Sequence, residues 1–184
     1  MKKLLLLLCF VFIHQVVYPV YFKHLGMSDG LSQVSVMSIY QDCLGRMWFG
    51  TREGVSIYDG ERMRVYKGWE NLDPESSINV LLGHECDHLT GNRQGDIFFR
   101  TCDSLVRYDI REEKFCVVSG CKAKTITSAD GDIWTGYDDM VCRYDEKGDS
   151  LQLYAKTNTP GISSLLISGK KIWIGTYEGL YVIE

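Results

Sequence analysis

Four segments of the chain match one another when each is placed on a single aromatic residue, and this repeat narrows the fold more than any other feature. The first reads Gly45-Arg46-Met47-Trp48-Phe49-Gly50-Thr51, then Glu53-Gly54 and Tyr58-Asp59. The second has Gly95-Asp96-Ile97-Phe98, Thr101 and Tyr108-Asp109, and the third Gly131-Asp132-Ile133-Trp134, Gly136 and Tyr144-Asp145. The fourth has Ile172-Trp173-Ile174-Gly175-Thr176 and Glu178-Gly179. The anchors Trp48, Phe98, Trp134 and Trp173 stand 50, 36 and 39 residues apart. A period of about 40–45 residues, filled by four short strands, is the spacing of a β-propeller blade.

Each repeat has the same physical order. An apolar strand (residues 36–40, Ile126, residues 165–167) precedes a polar turn ending in Gly or Asp, and the anchor strand follows. An acidic residue before glycine, as in Glu53-Gly54 and Glu178-Gly179, suits the positive φ of a two-residue hairpin turn. Ser104 and Met140 replace that glycine in the second and third repeats, which predicts looser hairpins there. A fourth strand follows at residues 63–66, 114–118 and 151–154. Eighteen glycines against three prolines, with 11 Tyr, 7 Phe and 4 Trp, agree with aromatic strands and tight turns, and no segment sustains a helical period. The expected fold is all-β: a β-propeller of about four blades, at residues 33–67, 78–119, 123–155 and 162–184.

A residue that recurs in every blade fills the same packing site between blades, so Ile39, Trp48, Ile57, Phe98, Trp134, Leu166 and Trp173 are the predicted core. Ligand recognition falls instead to residues that break the pattern. Arg52, Asp138 and Tyr177 share one turn position but differ in chemistry, and Trp69 stands in the long connection of residues 68–77. These four are the candidate ligand-binding residues; the competing reading makes each an exposed turn residue with no partner.

Residues 1–20 read as a signal peptide. Lys2 and Lys3 form a charged start, and residues 4–13 are an unbroken apolar run, too short for the about 20 residues that span a bilayer. The expectation is export to the periplasm with a mature start near Val20; the alternative is an uncleaved membrane anchor. Cys9 follows leucines rather than a small residue and reads as part of the apolar run. Six cysteines remain, an even number that permits disulfides, with Cys116 and Cys121 the closest pair. A chain of this length buries a core without bridges, so scattered buried thiols are the preferred reading. A formal net charge of −4 provides no basic footprint for nucleic acid.

One motif points to catalysis. His84-Glu85-Cys86-Asp87-His88 matches the H-E-x-x-H signature of zinc proteases, whose two histidines meet one metal only when a helix places them one turn apart. Here Gly83 precedes and Thr90-Gly91-Asn92 follows, and the repeat alignment sets Leu89 opposite Ile39 on a first strand. Histidines four apart on a strand stand about 13 Å from each other, too far to share a metal. No catalytic residue, metal or cofactor is therefore assigned.

Several motifs carry a family resemblance. Phe22-x-His24-Leu25, Asp29-Gly30-Leu31-Ser32, Val36-x-Ser38-Ile39-x-Gln41-Asp42, Gly45-x-Met47-Trp48-Phe49-Gly50-Thr51 and Tyr58-Asp59-Gly60 resemble the start of the two-component regulator propeller, the periplasmic sensor region of hybrid two-component histidine kinases. The resemblance implies a carbohydrate- or glycan-sensing ectodomain that drives a kinase; the alternative function is a scaffold propeller that binds another protein. It also implies an amino-terminal fragment, since family members continue through about fourteen blades, a β-sandwich, a membrane helix and a kinase, patterns not found in these residues. The expected partners are an oligosaccharide, the remaining blades or another receptor subunit, and further copies through exposed blade edges. Blades shaped for a seven-bladed ring would leave four as an open arc. In the alternative, a closed four-bladed ring, Phe22 and Leu25 pack beside Tyr181 and Ile183.

Overall fold

The computed structural model describes residues 20–67 and 83–184, without the side chains of residues 119–121. The leader reading falls on residues 1–19 and Trp69 on residues 68–82, so both lie outside the described residues. Fifteen strands and one three-residue 3-10 turn, Met27–Asp29, make up the regular structure of the described residues.

The strands form four consecutive antiparallel meanders. Blade one holds β1 (Val36–Gln41), β2 (Met47–Thr51), β3 (Gly54–Tyr58) and β4 (Met63–Tyr66). Blade two holds β5 (Cys86–Gly91), β6 (Ile97–Thr101), β7 (Ser104–Asp109) and β8 (Lys114–Lys122). Blade three holds β9 (Thr125–Ala129), β10 (Asp132–Tyr137), β11 (Met140–Asp145) and β12 (Ser150–Lys156). Blade four holds three strands, β13 (Ile162–Ser168), β14 (Lys171–Thr176) and β15 (Gly179–Ile183). The first strands lie side by side, β1 against β5, β5 against β9 and β9 against β13, so the sheets fan out from one edge.

Each hairpin between second and third strands is a two-residue turn. Thr51 staples the first: its Oγ1 accepts from the Glu53 amide at 3.1 Å and donates to the Gly54 carbonyl at 3.1 Å. Thr176 repeats this around Glu178 and Gly179. The expectation of looser hairpins in blades two and three is corrected by the register, in which Thr101 faces Ser104 and Tyr137 faces Met140 just as Thr51 faces Gly54. The positive φ has moved onto the turn itself, at Cys102 (48°), Asp103 (60°) and Asp138 (54°). Asp tolerates the left-handed region better than most side chains, so the tight turn survives loss of the glycine.

The core lies between blades. Each blade has a forward face, which meets the following blade, and a rear face, which meets the preceding one. Trp48, Val55 and Ile57 of the first forward face pack on Leu89, Phe99, Val106 and Tyr108 of the second rear face, with Trp48 and Tyr108 edge to face at 4.9 Å. Phe98 repeats the contact with Tyr144 of blade three at 4.8 Å. Trp134 packs with Ile162, Ile172 and Ile174 of blade four. Trp48, Ile57, Phe98 and Trp134 are therefore buried, as the repeat implies. Three predicted core residues are not: Ile39 is 61% exposed, Leu166 59% and Trp173 36%. Ile39 belongs to the rear face of the first blade, and Leu166 pairs across the sheet with Trp173 on the forward face of the last. Among the described residues these outer faces meet no neighbouring blade.

The glycines two residues after Trp48 and Trp134 make room for the next blade. A Cβ on Gly50 would stand 2.4 Å from the Cys86 carbonyl oxygen, and one on Gly136 would stand 2.5 Å from Ile162 Cγ2. The first obstacle is backbone and cannot swing aside. Gly50→Ala is expected to cost about 1–3 kcal/mol through overpacking, read as a lower urea midpoint. A midpoint unchanged from wild type would show that blades one and two do not approach this closely.

The arc is open. Among the described residues no strand pairs with the outer side of β15, and Tyr21 and Phe22 are 88% and 93% exposed rather than packed against it. The closed four-bladed ring is thereby set aside for this chain.

Candidate functional site

Antiparallel meanders place the hairpin turns between second and third strands at the same end as the connections from one blade to the next. At this end a cleft of about 250 Å³ is lined by Asp103, Asp138 and Tyr177 from the turns of three successive blades. Lys124 and Gly161 of the connections, Ile162 at the start of β13 and Tyr137 of β10 complete it. Backbone hydrogen bonds fix the frame. The Ala123 amide donates to the Asp103 carbonyl at 2.7 Å, Lys124 to Gly136 at 2.8 Å and Ile162 to Asp138 at 2.9 Å. Each turn is thus tied to the chain entering the next blade.

Tyr177 is 78% exposed, and its amide reaches the Gly161 carbonyl at 3.3 Å. Gly161 has φ +90°, and a Cβ there would stand 2.5 Å from the Tyr177 ring, so glycine serves both the backbone and the ring above it. Tyr137 carries the Lys122 ammonium 5.4 Å from its ring centroid, a cation–π contact. Apolar ring faces, two carboxylates and an ammonium therefore converge on one small concavity. The fold brings together Asp138 and Tyr177 of the sequence candidates. Arg52 is exposed on the blade-one turn, its amide on the Ser35 carbonyl at 3.3 Å, away from the cleft. Asp103, Lys124, Tyr137 and Gly161 were not singled out by the repeat. The available signal was a glycine in a connection, Gly161, placed beside the variable turn position.

The opposite end carries another cleft, of about 290 Å³, between blades two and three. Several of its polar side chains are paired: Arg143 with Asp132 at 2.7 Å, Gln94 with Glu146 at 2.6 Å and Gln152 with Asp145 at 2.8 Å. Next to it Arg107 is clamped by Asp109 at 3.0 Å, Asp96 at 3.2 Å and Asp149 at 3.3 Å. These pairs hold the turns in place.

The H-E-x-x-H match starts before β5 and ends within it. His88 has φ 54° at a bulge in the β5–β6 pairing, and its Nδ1 lies 2.9 Å from Asp87, which also binds Arg100. Burial alone would raise the Asp87 carboxyl, but hydrogen bonds from His88 and Arg100 outweigh it and hold the group below its ordinary value. Among the described residues no three His, Cys, Asp or Glu side chains are grouped to hold a metal. Cys43, Cys86, Cys102, Cys116 and Cys142 are free thiols, and burial pushes that of Cys86 up to about 12.

Known proteins place this geometry. The extracellular domain of a hybrid two-component system, BT3049 from B. thetaiotaomicron, superimposes with a TM-score of 0.73 at 24% identity, covering 90% of this chain and 25% of that one. The WD40 β-propeller domain of Doa1 superimposes with a TM-score of 0.53 at 16% identity, over 80% of this chain and 48% of that domain. The fold is a β-propeller. The likeness of this propeller to two-component regulators extends to sequence: it is 41% identical over 59 residues to histidine kinase P4 of Formosa agariphila. That stretch is 32% of this chain and 4% of the kinase, so the propeller described here spans a small part of its relatives. No protein-family model matches the sequence.

Proposed function

We propose that this propeller is the ligand-recognising part of an extracytoplasmic sensor of the two-component type, and that it binds the end of an oligosaccharide in the cleft at the hairpin end. The convergence of the Tyr177 and Tyr137 rings with Asp103, Asp138 and Lys124 carries the reading. Sugars present an apolar ring face and a rim of hydroxyls, and a site for them needs an aromatic surface beside fixed donors and acceptors. At about 250 Å³ the cleft is below the usual 300–1,000 Å³ of small-molecule pockets, so it suits a terminal unit rather than a whole chain. The likeness to extracellular domains supports a location outside the cytoplasm, and no helix of the described residues is long and apolar enough to cross a membrane.

Titration calorimetry against a panel of oligosaccharides tests this. A saturable heat is expected for at least one, and Tyr177→Ala should weaken it by about tenfold or more, the scale of one lost aromatic contact. Lys147→Ala, at the opposite end, should leave it unchanged. Absence of saturable heat across the panel, or equal binding by Tyr177→Ala, would end the proposal.

A further inference from the structure

Blade two breaks the repeat at one interior position. Two residues after the anchors Trp48, Trp134 and Trp173 stand Gly50, Gly136 and Gly175, and two residues after Phe98 stands Arg100. The register keeps the place: Arg100 faces Leu105 as Gly50 faces Val55 and Gly136 faces Val141. Where Gly50 and Gly136 admit the next blade too closely for a Cβ, blade two carries a guanidinium on the same face, its side chain only 18% exposed. A cation so placed is costly unless carboxylates meet it.

Two carboxylates do. Asp87 stands directly across the β5–β6 pairing and takes two of the guanidinium nitrogens, Nε donating to Oδ1 at 2.8 Å and Nη2 to Oδ2. The third, Nη1, donates to Oδ1 of Asp103 at 3.4 Å, and Asp103 lines the cleft at the hairpin end. Behind Asp87 stands His88, its Nδ1 2.9 Å from Asp87 Oδ1. His88 arrives there through the bulge between Asp87 and Thr90 and a φ of 54°, a conformation that costs a non-glycine residue, and bulges serve to re-aim a side chain. Asp87, His88, Arg100 and Asp103 all belong to blade two, which has a blade packed on each side.

We propose that Arg100 is a positioning residue of the cleft: anchored by Asp87 and His88, it holds the Asp103 carboxylate as a fixed acceptor for a hydroxyl of the bound sugar. This rests on the oligosaccharide reading of the cleft and adds to it the residue that sets one of its acceptors. Asp103 sits in a two-residue turn at φ 60° with its side chain 49% exposed, so a carboxylate left alone there would have to be ordered by the ligand at the expense of affinity. A charge-assisted bond from an anchored guanidinium orders it beforehand. The segment that resembles a zinc signature thus contributes Asp87 and His88 to recognition, through Arg100.

Calorimetry on the full chain with cellotriose, maltotriose, xylotriose and chitotriose tests the coupling, using whichever binds most tightly. Arg100→Lys keeps a cation for Asp87 but lacks the planar fork that spans two carboxylates. It should weaken binding about tenfold, the scale of one hydrogen bond to a charged group, and Asp103→Ala should do the same. In the Asp103→Ala background, Arg100→Lys should cost less than about twofold more, because the carboxylate it would hold is gone. Asp87→Asn/Arg100→Met, which removes both charges and strands neither, should follow the same pattern; circular dichroism checks that each variant folds. Equal losses in the two backgrounds would mean that Arg100 acts through the fold alone and would overturn the inference. So would undiminished binding by both variants while Tyr177→Ala still weakens it, a result that leaves the oligosaccharide reading standing. A wild type with no saturable heat ends that reading and the role of Arg100 with it.

Discussion

Trp48→Ala is expected to lower stability by about 3–5 kcal/mol, the range for truncating a buried aromatic, while Trp173→Ala lowers that of the monomer by less than about 1 kcal/mol. The two residues hold the same place in the repeat. Trp48 is fully enclosed between blades one and two and meets the edge of Tyr108, whereas Trp173 faces out from blade four. Trp134, 7% exposed, should behave like Trp48. Denaturant titration at a concentration that keeps the chain monomeric provides all three values. Equal losses at Trp48 and Trp173 would mean that the last forward face is covered within the monomer, and the open arc would be wrong.

A loss of similar size is expected from Asp42→Ala. The Asp42 side chain is fully buried in the turn between β1 and β2. One oxygen accepts from Arg46 Nε at 2.7 Å and Trp48 Nε1 at 2.8 Å, and the other from the amides of Arg46 at 2.9 Å and Leu44 at 3.0 Å. Arg46 Nη2 is already buried without a partner. Removing the carboxylate strands a buried guanidinium, a change that typically costs about 3–5 kcal/mol. Asp42→Asn keeps acceptor capacity but no charge and should cost less.

The same group makes stability depend on acid. Burial alone would raise its pKa, but the hydrogen bonds from Trp48 and Arg46 outweigh this and hold the carboxyl below its ordinary value, as His88 and Arg100 do for Asp87. A carboxylate depressed in the folded state contributes its full stabilisation above the unfolded value, about 3.9, and loses it as pH falls through the folded one. Stability should therefore drop below about pH 4, and Asp42→Asn should show a shallower drop than wild type. An equally steep acid transition in the variant would assign the effect to other carboxylates.

Much of the fold was legible because the repeat encodes contacts made the same way several times. The anchor, the glycine behind it and the threonine of the turn each solve a local problem, enclosure, close approach or a hairpin staple, and their spacing reports it. What the repeat does not contain is whether a neighbour is present. Ile39, Leu166 and Trp173 look like core in one dimension and are exposed because burial here is a property of two adjacent blades. The hairpins at Asp103 and Asp138 were misjudged for a different reason: a left-handed residue inside the turn replaces the glycine after it. The cleft was half visible. Asp138 and Tyr177 stood out by breaking the pattern, whereas Asp103 and Lys124 converge on them only through the way the blades and their connections pack.

The location of the ligand site is tested most directly by backbone hydrogen exchange on the chain with and without a saturating oligosaccharide identified by calorimetry. New protection is expected in the turns 102–104, 137–139 and 176–178 and in the connections around Lys124 and Gly161, with no change at the opposite end near Gln94, Arg143 and Lys147. Protection confined to that opposite end, with the hairpin turns unaffected, would contradict the account.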